Sequence, residues 1–282
     1  MTHRSRALFT AWKRRLKLVR KRTWHQAKLR FHYAVRRRPR EPVFIVTTRR
    51  TGSNLFLEYL NSAPNLSFLP EILNSDMFYG VRGRWIGKRR VLRHIAHSIN
   101  GCRERVCGAK LCKVHMELHR VDLEDLKRLY PNARFIILYR KSLLEQFVSL
   151  KIAEQTGSWQ WHRDFRLPQS IELDEAEFRA YSRMIKGFYE NIFNKVWVAE
   201  RSVIVRYEEL VQCPQLVFDE VIFPFLGVAR APVRATLKKQ NTLQSEALVR
   251  NLGTLKRSLG DEAISHDYAW PVHEETRVAV CG

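Results

Sequence analysis

The 282-residue sequence contains no run of about eighteen apolar residues, so nothing in it reads as a membrane-spanning helix. Its longest apolar stretches, around Val43–Thr48 and Phe135–Tyr139, have the length of strands. Glycine and proline are scarce, at 12 and 10 residues, which excludes collagen-like and low-complexity architectures. The cysteines number only five. Cys102, Cys107 and Cys112 recur at five-residue spacing, which is neither the C-x2-C of a zinc site nor a disulfide framework, so they read as reduced thiols. The Walker A pattern G-x-x-x-x-G-K-[ST] is absent, and there is no internal repeat. Against these absences stand 45% hydrophobic and 11% aromatic residues. That is enough to bury a core, and it excludes a disordered chain.

Acidic residues are missing altogether from residues 1–40, which hold 15 Lys and Arg. The rest of the chain carries 35 basic against 28 acidic residues, so most of the net charge of +22 belongs to this arm. Lys and Arg interrupt every apolar run in it, which excludes a signal-peptide core. Leu8, Trp12, Leu16 and Val19 fall at helical spacing, as in a basic amphipathic helix. Such a helix suits an anionic membrane surface, with its aromatics at headgroup level. It equally suits packing on the body through its aromatic face. A nucleic-acid-binding arm is a third reading, which no recognition motif in the body supports, so no specific nucleic acid is expected as a partner. Arg36 to Pro42, with prolines at 39 and 42, reads as an extended linker. The chain therefore divides into a basic arm, 1–40, and a folded domain, 41–282.

The domain opens on Val43–Thr47, a continuous β-branched and aromatic run of the kind buried on both faces of a parallel sheet. Thr48 to Asn54 is a turn, and Leu55, Phe56, Tyr59 and Leu60 follow at helical spacing. Further strands are expected at Val106–Val114, Arg134–Tyr139 and Val203–Val205. Helices are expected from Asp122 to Tyr130, from Ser142 through Ala153, over Glu177–Ala199, and from Phe218 to a stop at Gly227. Strands alternating with helices predict an α/β fold, a parallel central sheet with helices on both faces.

Two segments carry chemistry. The first strand feeds Arg49-Arg50-Thr51-Gly52-Ser53-Asn54 and then a helix. Amides at a helix N-terminus form an anion seat, Gly52 permits close approach, and Thr51, Ser53 and Asn54 add side-chain donors beside the charge of Arg50. Read alone, the same residues also suit an ordinary capped turn. The third expected strand ends at Arg140, which points an arginine into the crevice where open α/β sheets bind ligands. Ser149 lies two turns along the next helix and can face the same crevice. The pair forms a second anion clamp, expected to lie beyond the reach of the first loop. His115, just past a strand end, is a candidate general base, although a lone histidine near an apolar strand is commonly structural.

Arg140-x8-Ser149 is followed by Gln155-Thr156-Gly157-Ser158-Trp159. These join Leu69-Pro70-Glu71, Cys107-Gly108-Ala109-Lys110-Leu111, Val205-Arg206-Tyr207-Glu208-Glu209-Leu210 and Leu237-Lys238-Lys239-Gln240. In this order they resemble the sulfotransferases that use 3′-phosphoadenosine 5′-phosphosulfate (PAPS). More narrowly, they resemble bacterial carbohydrate sulfotransferases of the trehalose and Nod-factor type. The resemblance runs from about Pro42 to Asn251 and implies a P-loop-NTPase-like architecture. It implies that the amides from Thr51 to Asn54 hold the donor's 5′-phosphate, and that Arg50 stabilises charge on the bridging oxygen. Arg140 and Ser149 would take the 3′-phosphate, and Glu71 would be the general base, with His115 its rival. The implied scheme requires no metal.

The acceptor implied is a hydroxyl of a carbohydrate or glycolipid. Trp159 and Trp161 are available to stack on nucleotide or sugar, or to pack in the core. Lys238 and Lys239 suit either the 3′-phosphate or a solvated face. Two positions depart from the family pattern. Asn54 stands where Ser or Thr is usual, and Arg49 where a small or neutral residue is usual. The rival readings are a nucleotide-dependent kinase, disfavoured by the missing Walker lysine, and a basic module binding nucleic acid or anionic membrane. The expected location is cytoplasmic, peripheral at the inner face of the membrane through residues 1–40.

Overall fold

The fold was obtained as a computed structural model, which describes residues 41–77, 80–81, 87–159, 168–237 and 248–259. The arm 1–40, Trp161, Lys238 and Lys239 lie outside the described residues. In chain order the elements are β1 (Val43–Thr47), α1 (Ser53–Ser62), β2 (Leu66–Leu69), α2 (Lys88–Asn100), β3 (Val106–Cys112), α3 (Lys113–Leu118) and α4 (Leu123–Leu129). There follow β4 (Arg134–Tyr139), α5 (Leu143–Thr156), α6 (Glu175–Phe193), α7 (Val196–Ala199), β5 (Ser202–Arg206) and α8 (Tyr207–Gln212). Next come a helical stretch from Pro214 to Leu226, with a π-helical turn at Phe218–Ile222, and a helix at Leu252–Leu259. The expected stop at Gly227 is a left-handed cap with φ 66°.

The five strands form one parallel sheet in the order β2-β3-β1-β4-β5. Alternation along β1 sends Phe44 and Val46 into one apolar layer with α2, α4, α5 and α6. Val43 and Ile45 enter the other, with α1 and the segment from Leu210 to Leu226. This is the expected α/β class with helices on both faces. The helix after β1 lies on one face, while those after its neighbours β3 and β4 lie on the other. A crevice therefore opens at the carboxyl end of β1, where connections diverge.

Four elements were not foreseen: β2, α2, α3 and the helix at Leu252–Leu259. β2 is only four residues long and sits at the sheet edge. Asn61 stands in for a missing neighbour strand, donating from Nδ2 to the Phe68 carbonyl at 2.9 Å and accepting from the Phe68 amide at 2.7 Å. α2 buries Val91, Ile95, Ser98 and Ile99 on one stripe, a period the intervening Arg and His residues obscure. Two expected boundaries also move. The strand expected to reach Val114 stops at Cys112, because α3 begins at Lys113. The helix expected over 177–199 is two, broken after Phe193. Cys102, Cys107 and Cys112 are buried free thiols, as read from the sequence, whereas Cys213, outside that spacing, is disulfide-bonded.

Candidate active site

The loop from Thr48 to Gly52 is held in shape from below. Thr47 and Thr51 share a hydrogen bond of 2.5 Å between their Oγ1 atoms, and the Thr51 hydroxyl also donates to the Thr48 carbonyl at 3.2 Å. The Thr51 side chain is thus buried and engaged within the loop rather than presented to the crevice as expected. Gln146 of α5, fully buried, donates to Thr48 Oγ1 at 2.9 Å and to the Arg49 carbonyl at 2.6 Å. Tyr189 of α6 donates to the Leu138 carbonyl at 2.8 Å and lies 3.3 Å from Thr48 Oγ1. Neither tether was assigned from the sequence, because each joins residues about a hundred or more positions apart.

Arg50 takes a left-handed backbone conformation, φ 64°, and Gly52 follows at φ 72°. A non-glycine residue held there stores roughly 1–3 kcal/mol, a signature of functional loops. Gly52 is required twice over, since a Cβ on it would lie 2.3 Å from the ring of Tyr207. α1 then starts with no side-chain cap and no acid in its first turn. The helices α4, α5 and α6 are capped by Asp122, Ser142 and Asp174, whereas α2, α3, α7 and α8 share the lack of a side-chain cap with α1. An uncapped N-terminus facing a crevice keeps its amides for an anion.

Arg50 also crosses the crevice. Its Nε donates to Ser149 Oγ at 2.9 Å, and a terminal nitrogen donates to the Trp159 carbonyl at 2.8 Å. The second clamp is therefore within reach of the first loop, contrary to the expectation that it lies beyond. Burial, and then the charge of Arg140, hold the Arg50 guanidinium below its ordinary pKa. Arg140, at 7% exposure, lies 4.8 Å over the Tyr207 ring, with Glu145 at 3.6 Å and Glu208 at 3.9 Å. Glu208 also accepts from the amides of Lys141 and Ser142, fixing the turn after β4. The segment Arg206–Glu208 thus packs against Arg140 and the turn after β4.

Glu71 follows β2 at its carboxyl end rather than starting a helix. His94 and His119 pin its turn from below, with Nε2 atoms 3.1 Å from the Ile72 carbonyl and 3.0 Å from the Leu73 carbonyl. The carboxylate receives Lys110 Nζ at 3.1 Å and Asn74 Nδ2 at 2.9 Å, and His115 Nδ1 lies 3.7 Å away. Both candidate bases therefore share one corner. Burial works to raise the Glu71 carboxyl, but the Lys110 charge, hydrogen bonds from Asn74 and Lys110, and His115 outweigh it, leaving it below its ordinary range. Burial lowers His115, opposed by Glu71 and reinforced by Arg49, His119 and Lys110, so the ring is neutral near pH 7.

Lys110, within the motif Cys107–Leu111, sits at the centre, bonding to Asn54 Oδ1 as well as to Glu71. A lysine inside an otherwise apolar strand was the signal available. Arg49 stands at the rim, 5.5 Å from the centre of the half-exposed Trp159 ring. Among the described residues no group of three or more His, Cys, Asp or Glu is arranged to hold a metal ion, and no helix is long and apolar enough to cross a membrane.

A five-stranded parallel sheet with helices on both faces, whose central strand feeds an uncapped, arginine-bearing loop, defines an α/β protein of the open parallel-sheet class. A model of the Sulfotransferase family matches residues 88–232, just over half of the chain, and the chain belongs to that family. Nodulation protein H of Rhizobium tropici is 27% identical over 223 residues, covering 77% of this chain and 88% of that protein. Nodulation protein H of Rhizobium meliloti is 27% identical over 237 residues, covering 77% and 91%. Among solved structures, the sulfotransferase domain of the Synechococcus PCC 7002 olefin synthase covers 83% of this chain and 91% of its own, at 16% identity and a TM-score of 0.48.

Proposed function

We propose that this sulfotransferase takes its sulfuryl group from PAPS and delivers it to a hydroxyl of a carbohydrate or glycolipid. The observation that carries the reading is the pair of arginine-lined seats in one crevice, the uncapped loop with Arg50 and the β4 end with Arg140. A donor with a 5′-phosphosulfate and a 3′-phosphate has one anion for each. The donor set at the loop, the Arg50 guanidinium beside a first turn of α1 that no side chain caps, fits such a group. The likeness to the nodulation proteins supports the acceptor class.

In this reading Glu71 takes the proton from the acceptor hydroxyl as its oxygen bonds to sulfur. The bond from sulfur to the bridging oxygen breaks, and that oxygen leaves with the electron pair on the 5′-phosphate. The products are the sulfate ester and adenosine 3′,5′-bisphosphate. Arg50 and the first-turn amides of α1 stabilise charge growing on the leaving oxygen. Arg140 and Ser149 fix the other end of the nucleotide. Trp159, half exposed at the rim, offers its ring to a sugar.

Calorimetry with adenosine 3′,5′-bisphosphate and AMP tests the donor. A charged phosphate contact contributes roughly 1.5–3 kcal/mol, or about 10- to 150-fold in affinity. The bisphosphate is expected to bind tighter by that factor, and Arg140→Ala to remove most of the preference. Equal binding of the two nucleotides by the wild type would refute the donor assignment.

A further inference from the structure

Lys110 lies within β3, paired across the sheet with Ile45 of β1, and is 1% exposed. Burying an ammonium group costs several kcal/mol unless its hydrogen bonds are satisfied. Its two partners come from different parts of the site. Glu71 Oε1, at 3.1 Å, belongs to the turn after β2. Asn54 Oδ1 belongs to the first turn of α1, directly after the Arg50 loop.

The second contact decides how Asn54 is oriented. A lysine ammonium has three donors and no acceptor, so it binds only the oxygen of a side-chain amide. With the oxygen committed to Lys110, the Asn54 nitrogen occupies the other branch and remains as a donor. An unrestrained amide presents its oxygen as readily as its nitrogen, and the oxygen repels an anion. Serine and threonine need no such restraint, because a hydroxyl rotates to donate. A lysine-locked amide therefore accounts for an asparagine at this position of the loop.

The first contact acts on the base. The groups facing Glu71 are Lys110 from β3, His115 from α3 and Asn74 from its own turn, with the Cys112 thiol beside them. Burial pushes that thiol up to about 11, so it stays neutral and contributes no charge. His115 is neutral near pH 7, which leaves Lys110 as the fixed positive charge in contact with the carboxylate.

We propose that Lys110 is a positioning residue that couples the donor seat to the base: it locks Asn54 with its amide N–H groups available to the donor's phosphate and holds Glu71 ionised at the acceptor. The proposal rests on the donor and base assignments above, so its test includes readouts that stand without turnover. Lys110→Met removes the charge at similar length. In the full chain, the Glu71 carboxyl is followed by carbon-13 NMR with labelled glutamate, its signal assigned by its loss in Glu71→Gln. Without Lys110 the largest influence opposing burial is lost, with only Asn74 and His115 left against it, so the carboxyl titration is expected to move up by about one pH unit. The acid limb of kcat moves up with it.

Adenosine 3′,5′-bisphosphate is expected to bind about tenfold more weakly to Lys110→Met and to Asn54→Ala, with the double variant no worse than the weaker single one, as for two residues acting through one contact. An unmoved Glu71 titration, or additive losses in binding, would overturn the proposal. If Glu71→Gln keeps its turnover, the base assignment fails, while the titration and the binding cycle still judge Lys110. Should Lys110→Met not fold, Lys110→Gln keeps a donor without the charge and must show the same titration shift. Should neither fold, Asn54→Ala alone must weaken the nucleotide about tenfold, and unchanged binding overturns the proposal.

Discussion

Glu71 and His115 lie 3.7 Å apart, and in the proposed reaction one of them takes the acceptor proton first. Their surroundings separate them. Glu71 is tied down by Lys110 and Asn74, whereas His115 Nδ1 has no hydrogen-bond partner among the described residues. A base is effective when its geometry is fixed by neighbours, which favours Glu71. Glu71→Gln keeps the shape and removes the proton acceptor. Turnover is expected to fall by about 10²–10⁴-fold, with adenosine 3′,5′-bisphosphate affinity unchanged by calorimetry. His115→Asn is expected to cost less. A Glu71→Gln enzyme retaining more than about a tenth of wild-type turnover would pass the role to His115.

At the scale of elements, the strand–loop–helix unit β1 to α1 was legible because its signals are local. An apolar strand, a glycine and a helical period stand within twenty residues. Its grip on α5 was not legible, since Gln146 and Ser149 meet the loop only after the chain has passed through β2, β3 and β4. Gly52 of this unit and Gly157 at the end of α5 separate strain from contact. Both have left-handed φ, but nothing lies within 4 Å of a Cβ on Gly157, whereas one on Gly52 strikes Tyr207. Left-handed strain costs about 1–2 kcal/mol at either site. Gly157→Ala is expected to show that loss alone in urea unfolding. Gly52→Ala is expected to lose more stability, and also nucleotide affinity, because Tyr207 must shift beneath Arg140. Equal effects at the two sites would mean that the Tyr207 contact carries no weight.

For the whole molecule, the sheet order places the ends of β1, β3 and β4 together, with the turn after β2 closing the corner at Glu71. The charge of the chain is distributed on the same scale, with 15 basic residues and no acids in residues 1–40. We propose that this arm attaches the enzyme to an anionic membrane surface at the cytoplasmic face. Each basic residue near such a surface contributes about 1 kcal/mol, and salt screens it as the Debye length falls from about 10 Å at 0.1 M to about 3 Å at 1 M. In sedimentation with phosphatidylserine vesicles, the full chain is expected to pellet at low salt and be released at high salt. A chain lacking residues 1–40 should stay in the supernatant and keep its turnover on a soluble acceptor. Equal sedimentation of the two would overturn the arm's role.

The sequence by itself determined the α/β class and the strand–loop–helix unit from β1 to α1. Each of these depends on neighbours within one or two elements, where periodicity and turn chemistry act. Tertiary structure alone decided that Arg50 reaches Ser149, that the Thr51 hydroxyl turns inward, and that Lys110 joins Asn54 to Glu71. Those contacts span 99, 4 and 56 positions for Arg50–Ser149, Thr47–Thr51 and Lys110–Asn54. The long ones exist because parallel strands distant in sequence end side by side. The short one exists because buried hydroxyls must find partners where water is excluded.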